Sequence, residues 1–536
     1  MRLGIQSLFS KIKNNPKIDY YIIAIIAFLS CIPALFTFFN ADDFAHLYNN
    51  SPIFSKLGLN VFSIEAQIST NLNLYRPTTN IYYYLVQKLF GLNPVAFHII
   101  QVVFFIATVL LLIIFTRKLT KSRSIANMSA LFFILNTARV EPSQWPANIC
   151  DTFMVFGFLS ALLLIWKSFE SKKGGQSLLY ALGSLLAFGF ALLSKEPAIV
   201  FPVVAGMLLF VIKKINFKNI FLVAISFSPI IPYLMMRINY NNIVKNSGYQ
   251  MPSFNPQNLS FYIMNLKSFI LRSFGLPNLP EKVNFVIMAI IFLIIAFLLL
   301  VIIRNKKIKL PFNKYLIFGF LIIFYFLAII PTINVPNFFD RYLYLASIPF
   351  SILFGLIVYS ITKVFKPLYG YIFAITVILF MGSQFLTYSI LEYDASIVAK
   401  KYVKSMGTIQ SQDSIKLINV PFYLEKNYFR LWKQTALSVN QTRYILNLFY
   451  DKDVKTEDVL ISTYFQNNPI LYYSLQNNIF FFEEAGMGLY SNPINETPRV
   501  LEQVNLTNEG IKAQTKLEIG TYYIFLNEKQ EQFIVP

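Results

Sequence analysis

The sequence predicts an all-α polytopic membrane protein that ends in a small soluble α/β domain, and three observations predict it. Of its 536 residues, 56% are hydrophobic and 13% are charged, against roughly 25% charged in soluble domains. About eleven apolar runs approach the roughly 20 residues that a helix needs to cross the hydrocarbon core. The basic residues sit in short clusters between alternate runs, as the positive-inside rule requires of loops on the cytoplasmic face.

The runs fall near residues 20–39, 95–116, 124–138, 149–166, 177–193, 198–212, 219–236, 284–303, 315–331, 342–361 and 369–390. The first follows Arg2, Lys11, Lys13 and Lys17, but it is too long for a signal-peptide core and lacks a small-residue cleavage site, so it reads as a retained helix. With the N-terminus cytoplasmic, the inner loops hold Arg117, Lys118, Lys121 and Arg123, then Lys167, Lys172 and Lys173, then Lys213, Lys214 and Lys218. Arg304 to Lys314 and Lys363 with Lys366 continue the series. The net charge of +20 is therefore read as topology-setting charge, with no nucleic acid as a partner. Cys31 and Cys150 suggest neither a disulfide framework nor a metal motif.

An odd number of spans places the C-terminal part outside. Residues 1–390 form the transmembrane domain on this reading, and 391–536 an extracytoplasmic domain with strand-like stretches at Ser414–Val420, Val459–Tyr464 and Thr521–Leu526. The outer segments are 40–94, with Asp42, Asp43, Glu65 and Arg76, and 237–283, whose broken apolar stretches suggest interfacial helices.

The chemistry-bearing residues cluster at predicted outer helix ends. Asp42 and Asp43 follow the first span among apolar neighbours. Such acids suit a general base, or simply terminate a helix in solvent. His46 is within i,i+4 reach of Asp42 if the segment is helical, which leaves a metal pair open beside plain loop polarity. Arg139 to Trp145 with Glu141, then Asp151, Lys195-Glu196, and Asp340-Arg341 are wedged between apolar runs. Charges there pair with one another, line a polar cavity, or reach the interface from a short hairpin. Two acids and several cations on one side of a bundle suit transfer from a phosphate leaving group: a carboxylate activates an acceptor hydroxyl while Arg or Lys neutralises the departing phosphate.

The ordered motifs Asp42-Asp43, Tyr75-Arg76-Pro77-Thr78-Thr79-Asn80, Gly91 to His98, Glu141 to Asp151, Leu193-Ser194-Lys195-Glu196 and Asp340-Arg341-Tyr342-Leu343-Tyr344-Leu345 resemble the GT-C class of polytopic glycosyltransferases. The similarity is to the polyprenyl-phosphate-sugar branch that includes protein O-mannosyltransferases. The resemblance implies a sugar transferase using a lipid-phosphate donor on the extracytoplasmic face, with a protein, glycan or lipid acceptor. It implies catalysis by Asp42 or Asp43 and donor-phosphate binding by Arg76, Lys195 and Arg341. His46, Glu141, Asp151, Glu196 and Asp340 complete the expected polar cavity, and a divalent metal, if used, would fall to Asp42 and Asp43. Asn136-Thr137-Ala138-Arg139 stands where relatives bearing tetratricopeptide repeats have a His-Pro-x-His stretch, and no such repeat follows Leu391. The rival class is a transporter or flippase of lipid-linked sugars; it calls for midplane sites and inverted repeats, whereas the charges here gather at one face.

Overall fold

The computed structural model describes residues 17–57, 75–243, 259–276, 314–333, 339–365 and 367–408, Asn15 and Phe62, and within 412–535 the strands, one helix and the two residues after it. The predicted run 284–303 and Glu65 lie outside the described residues.

Two compact units emerge: residues 1–35, 59–82 and 97–387 form the first, and 36–58, 83–96 and 388–536 the second. Helices Pro77–Phe90 and Pro367–Ser405 contribute to both.

The first unit is all-helical. Among the described residues seven helices are long and apolar enough to cross a membrane: Pro94–Thr120, Pro146–Glu170, Gly174–Ser194, Phe217–Asn239, Tyr315–Thr332, Ser347–Val364 and Pro367–Lys404. Among the described residues this corrects the expectation of about eleven spans, of which the run 284–303 lies outside them. Three predicted runs form shorter apolar helices, Ile18–Ser30, Arg123–Leu135 and Glu196–Val211. Local chemistry sets the end of the second and the start of the third. At Asn136 the backbone turns extended, and the side chain accepts from the Ala138 N–H, which starts a separate turn over Thr137–Arg139. Lys195 is extended too, and Pro197 opens the following turn because a missing N–H costs nothing there.

Small residues let the helices approach. A Cβ on Gly157 would meet the Ala187 carbonyl oxygen at 2.8 Å, and one on Gly355 would meet the Ser129 hydroxyl at 2.5 Å. Gly157 therefore fixes the spacing of Ile149–Glu170 against Gly174–Ser194, and Gly355 that of Ser347–Val364 against Arg123–Leu135. Around these contacts Phe105, Phe133, Phe158, Trp166, Phe201 and Phe324 are buried in one continuous core.

In the second unit, helix Asp42–Leu57 packs against helix Thr442–Tyr450, with Tyr48 stacked on Tyr444 at 4.6 Å and Phe44 edge-on to Phe449 at 6.3 Å. The strands form two sheets. One is ordered Gln532–Val535, Thr521–Leu526, Gln412–Glu425, Val454–Phe465, Leu489–Tyr490, with Lys433–Thr435 beside Gln412–Glu425; the other is ordered Ile470–Gln476, Ile479–Ala485, Gly510–Lys516, Gln503–Thr507. Gln412–Glu425 pairs in parallel with two neighbours, and every other pairing is antiparallel. The expected α/β domain is corrected by this arrangement. A single helix, Thr442–Tyr450, accompanies the strands among the described residues, and from Val454 onward the described strands follow one another with no described helix between them.

Candidate functional site

In the first unit, the helix breaks deliver the charged residues. Gln101 donates from Nε2 to the carbonyls of Pro142 (2.6 Å) and Trp145 (2.8 Å), and the Thr152 hydroxyl donates to Pro142 (2.6 Å). These bonds hold the turn carrying Glu141 above the start of helix Ile149–Glu170, which carries Asp151. The Thr78 hydroxyl donates to the Leu193 carbonyl (3.2 Å) and to Ser194 Oγ (3.0 Å), which fixes the Arg76 segment beside Lys195-Glu196.

Each predicted phosphate-binding cation meets a predicted cavity acid. Lys195 Nζ is 2.6 Å from Asp151 Oδ2, and their side chains are 4% and 1% exposed. Arg341 pairs with Glu141 and lies over the rings of Phe339 and Trp145, at 4.3 and 5.4 Å. Arg76 Nη2 is 3.3 Å from Glu196 Oε2, and Glu196 Oε1 accepts from Arg237 Nη1 at 2.6 Å. Asp340 is buried against Arg272 at 3.7 Å and accepts from the Thr137 hydroxyl at 2.7 Å. Burial pushes the Asp340 carboxyl up to about 6, although Arg272 and Thr137 oppose the shift.

The pairs differ in balance. Lys195–Asp151 and Arg341–Glu141 pair one cation with one carboxylate, whereas Arg76 and Arg237 share the carboxylate of Glu196. The side chains of these three are 19%, 14% and 18% exposed, so an anion can reach them. Arg237 was missed by sequence reasoning, and the available signal was its place at the mouth of the predicted outer segment 237–283. Arg139 is of another kind. It is fully buried, donates to the Ile134 carbonyl (2.7 Å) and Ser143 Oγ (3.0 Å), and lies between the rings of Phe105 and Phe385 at 4.7 and 4.0 Å. It pins the corner that ends helix Arg123–Leu135.

In the second unit, the structure separates the two adjacent acids. Asp43 is fully buried; its Oδ2 accepts from the Asn40 N–H at 2.9 Å and its Oδ1 from the Tyr83 hydroxyl at 2.5 Å. His46 stacks on Tyr83 at 4.6 Å. Asn40 also donates to Glu392 at 3.0 Å. Asp42 is exposed and begins helix Asp42–Leu57. The segment is helical, as the Asp42–His46 spacing required, but among the described residues no three His, Cys, Asp or Glu side chains converge to hold a metal ion. Asp42 is exposed, while the two carboxylate oxygens of the buried Asp43 already accept hydrogen bonds. They do not make a fitting site, and no step is derived through a metal.

Fold and site together define a multi-pass helical membrane protein with ion-paired charges at its helix ends. Residues 61–250 match the model of the dolichyl-phosphate-mannose-protein mannosyltransferase family, and this stretch holds Arg76, Glu141, Asp151, Lys195, Glu196 and Arg237. No curated protein matches the chain. Among solved structures, the chain is similar to the oligosaccharyltransferase AglB from Archaeoglobus fulgidus in complex with an inhibitory peptide and a dolichol-phosphate. That similarity has 12% identity and a TM-score of 0.43, and covers 82% of this chain and 64% of that one. The oligosaccharyltransferase of the same organism in complex with Zn and sulfate matches at 12% identity and a TM-score of 0.41, covering 81% and 62%. ArnT from Cupriavidus metallidurans bound to undecaprenyl phosphate matches at 10% identity and a TM-score of 0.32, covering 82% and 88%. The chain thus spans a little under two thirds of the length of the archaeal enzyme.

Proposed function

We propose that the protein transfers a sugar from a polyprenyl-phosphate carrier to a protein, glycan or lipid acceptor on the extracytoplasmic face of a membrane. The observation that carries this reading is the match of residues 61–250 to a family of lipid-phosphate-dependent sugar transferases, over the stretch that supplies the Arg76–Glu196–Arg237 cluster. In the proposed reaction the acceptor hydroxyl oxygen attacks the anomeric carbon and the bond to the phosphate oxygen breaks. The hydroxyl proton passes to a carboxylate, and the electron pair leaves on the phosphate. Such a reaction needs a base for the proton and fixed positive charge for the departing anion.

Asp42 is assigned as the base because it is the exposed acid, and Asp43 as the anchor of the helix start because it is buried and hydrogen-bonded. The donor phosphate is assigned to Arg76 and Arg237, two partly exposed arginines brought together on Glu196. Lys195 and Arg341 are assigned to hold Asp151 and Glu141 in place, with Arg341 exposed enough to share in anion binding. The test is transfer by the purified chain in detergent, supplied with a panel of polyprenyl-phosphate sugars and with membrane extract as acceptor. Sugar incorporation is expected from at least one of them, and a chain that consumes none would overturn the proposal.

On this reading, Arg76→Ala and Arg237→Ala each raise KM for the donor by roughly tenfold to a hundredfold, the worth of a charge-assisted hydrogen bond, with a smaller change in kcat. Unchanged donor KM in both variants excludes a phosphate role for the cluster.

Orientation is the second expectation. The loops around Ser122 and Lys173 lie at one end of the first unit, joined by the Lys118–Glu170 pair at 2.7 Å. Tags after Ser122 and after Lys173 are expected to be protected inside the cell, and a tag at Pro536 to be labelled from outside. A protected tag at Pro536 contradicts the extracytoplasmic placement of residues 391–536.

A further inference from the structure

Two groups of basic residues at this end of the first unit differ in their partners, and Lys121 and Lys167, both exposed, lie beside them. Arg117 and Arg123 share the carboxylate of Asp19, and Lys118 pairs with Glu170, so each of these cations has a carboxylate partner within the protein. Lys172, Lys173, Lys213, Lys214 and Lys218 are all exposed, and no carboxylate pairs with any of them among the described residues. The two loops that carry them, Ser171-Lys172-Lys173-Gly174-Gly175 and Lys213-Lys214-Ile215-Asn216-Phe217-Lys218, contain no acid.

These loops form one surface. Lys218 Nζ donates to the Ser171 carbonyl at 3.2 Å. Asn219 is buried, and its Nδ2 bridges the Phe169 carbonyl (3.3 Å) and the Lys214 carbonyl (2.8 Å). The Asn216 side chain caps the next helix by accepting from the Asn219 N–H at 2.9 Å. Two apolar side chains project among the lysines: Phe217 is 86% exposed and Ile215 is 53% exposed. Below them, Leu178, Leu179, Ile220 and Phe221 turn exposed apolar surface outward from the membrane-crossing helices.

Exposed aromatic and aliphatic side chains ringed by uncompensated lysines, at the end of a membrane helix, match a leaflet surface of mixed character: acyl chains for Phe217 and Ile215, phosphate for the ammonium groups. Topology alone needs only a count of basic residues, and does not require five lysines without a carboxylate partner among the described residues to gather, with exposed apolar side chains, on two loops that are hydrogen-bonded together. We infer that the 171–175 and 213–218 loops form a binding surface for anionic phospholipid headgroups, which recruits such lipids in preference to zwitterionic ones. The inference rests on the membrane reading of the helices and is independent of the proposed transferase activity.

The test is native mass spectrometry of the full chain in detergent, titrated with phosphatidylglycerol or with phosphatidylcholine of the same acyl chains. The parent is expected to retain phosphatidylglycerol preferentially. The K172Q/K173Q/K213Q/K214Q/K218Q variant is expected to bind it about tenfold or more weakly, with phosphatidylcholine unchanged, because each lysine near an anionic surface contributes appreciably. The five Lys→Arg substitutions are expected to keep the preference, which separates loss of charge from loss of fold. Equal retention of both lipids by the parent, or parent-like phosphatidylglycerol binding by the glutamine variant, overturns the inference. So does complete displacement of the lipid by millimolar inorganic phosphate, which would mark a site for free anions.

Discussion

Asp42→Asn is expected to lower turnover with a polyprenyl-phosphate sugar by about 10²–10⁴-fold, the usual contribution of general-base catalysis, while donor affinity stays near that of the parent. Asn keeps the size of the side chain and some of its hydrogen bonding, but it does not take up a proton near neutral pH. Asp43→Asn is expected to behave differently. Asp43 accepts from the Asn40 N–H and from Tyr83, so the amide places an NH2 group against one donor or the other, and helix Asp42–Leu57 loses its anchored start. That variant should lose thermal stability as well as activity, and Tyr83→Phe should reproduce part of the loss. Single-turnover rates, donor titration and thermal melts on the three variants decide the matter. If Asp42→Asn turns over like the parent, Asp42 is only a solvated helix end. The transferring base must then be sought among the other acids.

The separation of the two aspartates shows where the sequence is legible and where it is not. Adjacent in the chain, they look equivalent, and only helix direction distinguishes them: Asp42 is exposed and Asp43 is buried. The apolar runs and basic loops were readable because hydropathy and charge are local properties. Among the described residues the expected spans overshot because runs well under 20 residues were counted, as at 124–138 and 198–212, and because the first helix ends at Ser30 where the run continues to residue 39. The tail was assigned to the wrong class for the opposite reason. Alternation within a strand is local, but Gln412–Glu425 takes its neighbours from Val454–Phe465 and Thr521–Leu526, distant in sequence. The same distance hid Arg237, since its partner Glu196 is 41 residues away.

Lys195→Ala is expected to cost about 3–5 kcal/mol of stability, because it strands the buried carboxylate of Asp151 in a site built for a pair. That is a large fraction of the roughly 5–15 kcal/mol that holds a native protein folded, so the variant should be recovered in low yield or melt far below the parent. The expectation separates Lys195 from Arg76, although the sequence placed both in one role. Arg76 shares Glu196 with Arg237, so Arg76→Ala leaves that carboxylate with a cation, and the fold should persist. For Lys195 the decisive comparison is the double variant Lys195→Met with Asp151→Leu. Replacing a whole buried ion pair with apolar side chains is often neutral or stabilising, whereas removing one member is not. If the double variant melts near the parent while Lys195→Ala does not, the pair is a positioning device that holds helix Ile149–Glu170 against the break at Lys195. Transfer activity of that double variant then reads any further role directly. Parent-like turnover assigns Lys195 to structure alone, and loss of donor binding in a stable double variant restores it to the phosphate site. A Lys195→Ala protein as stable as the parent removes the premise, since Asp151 would then have another partner.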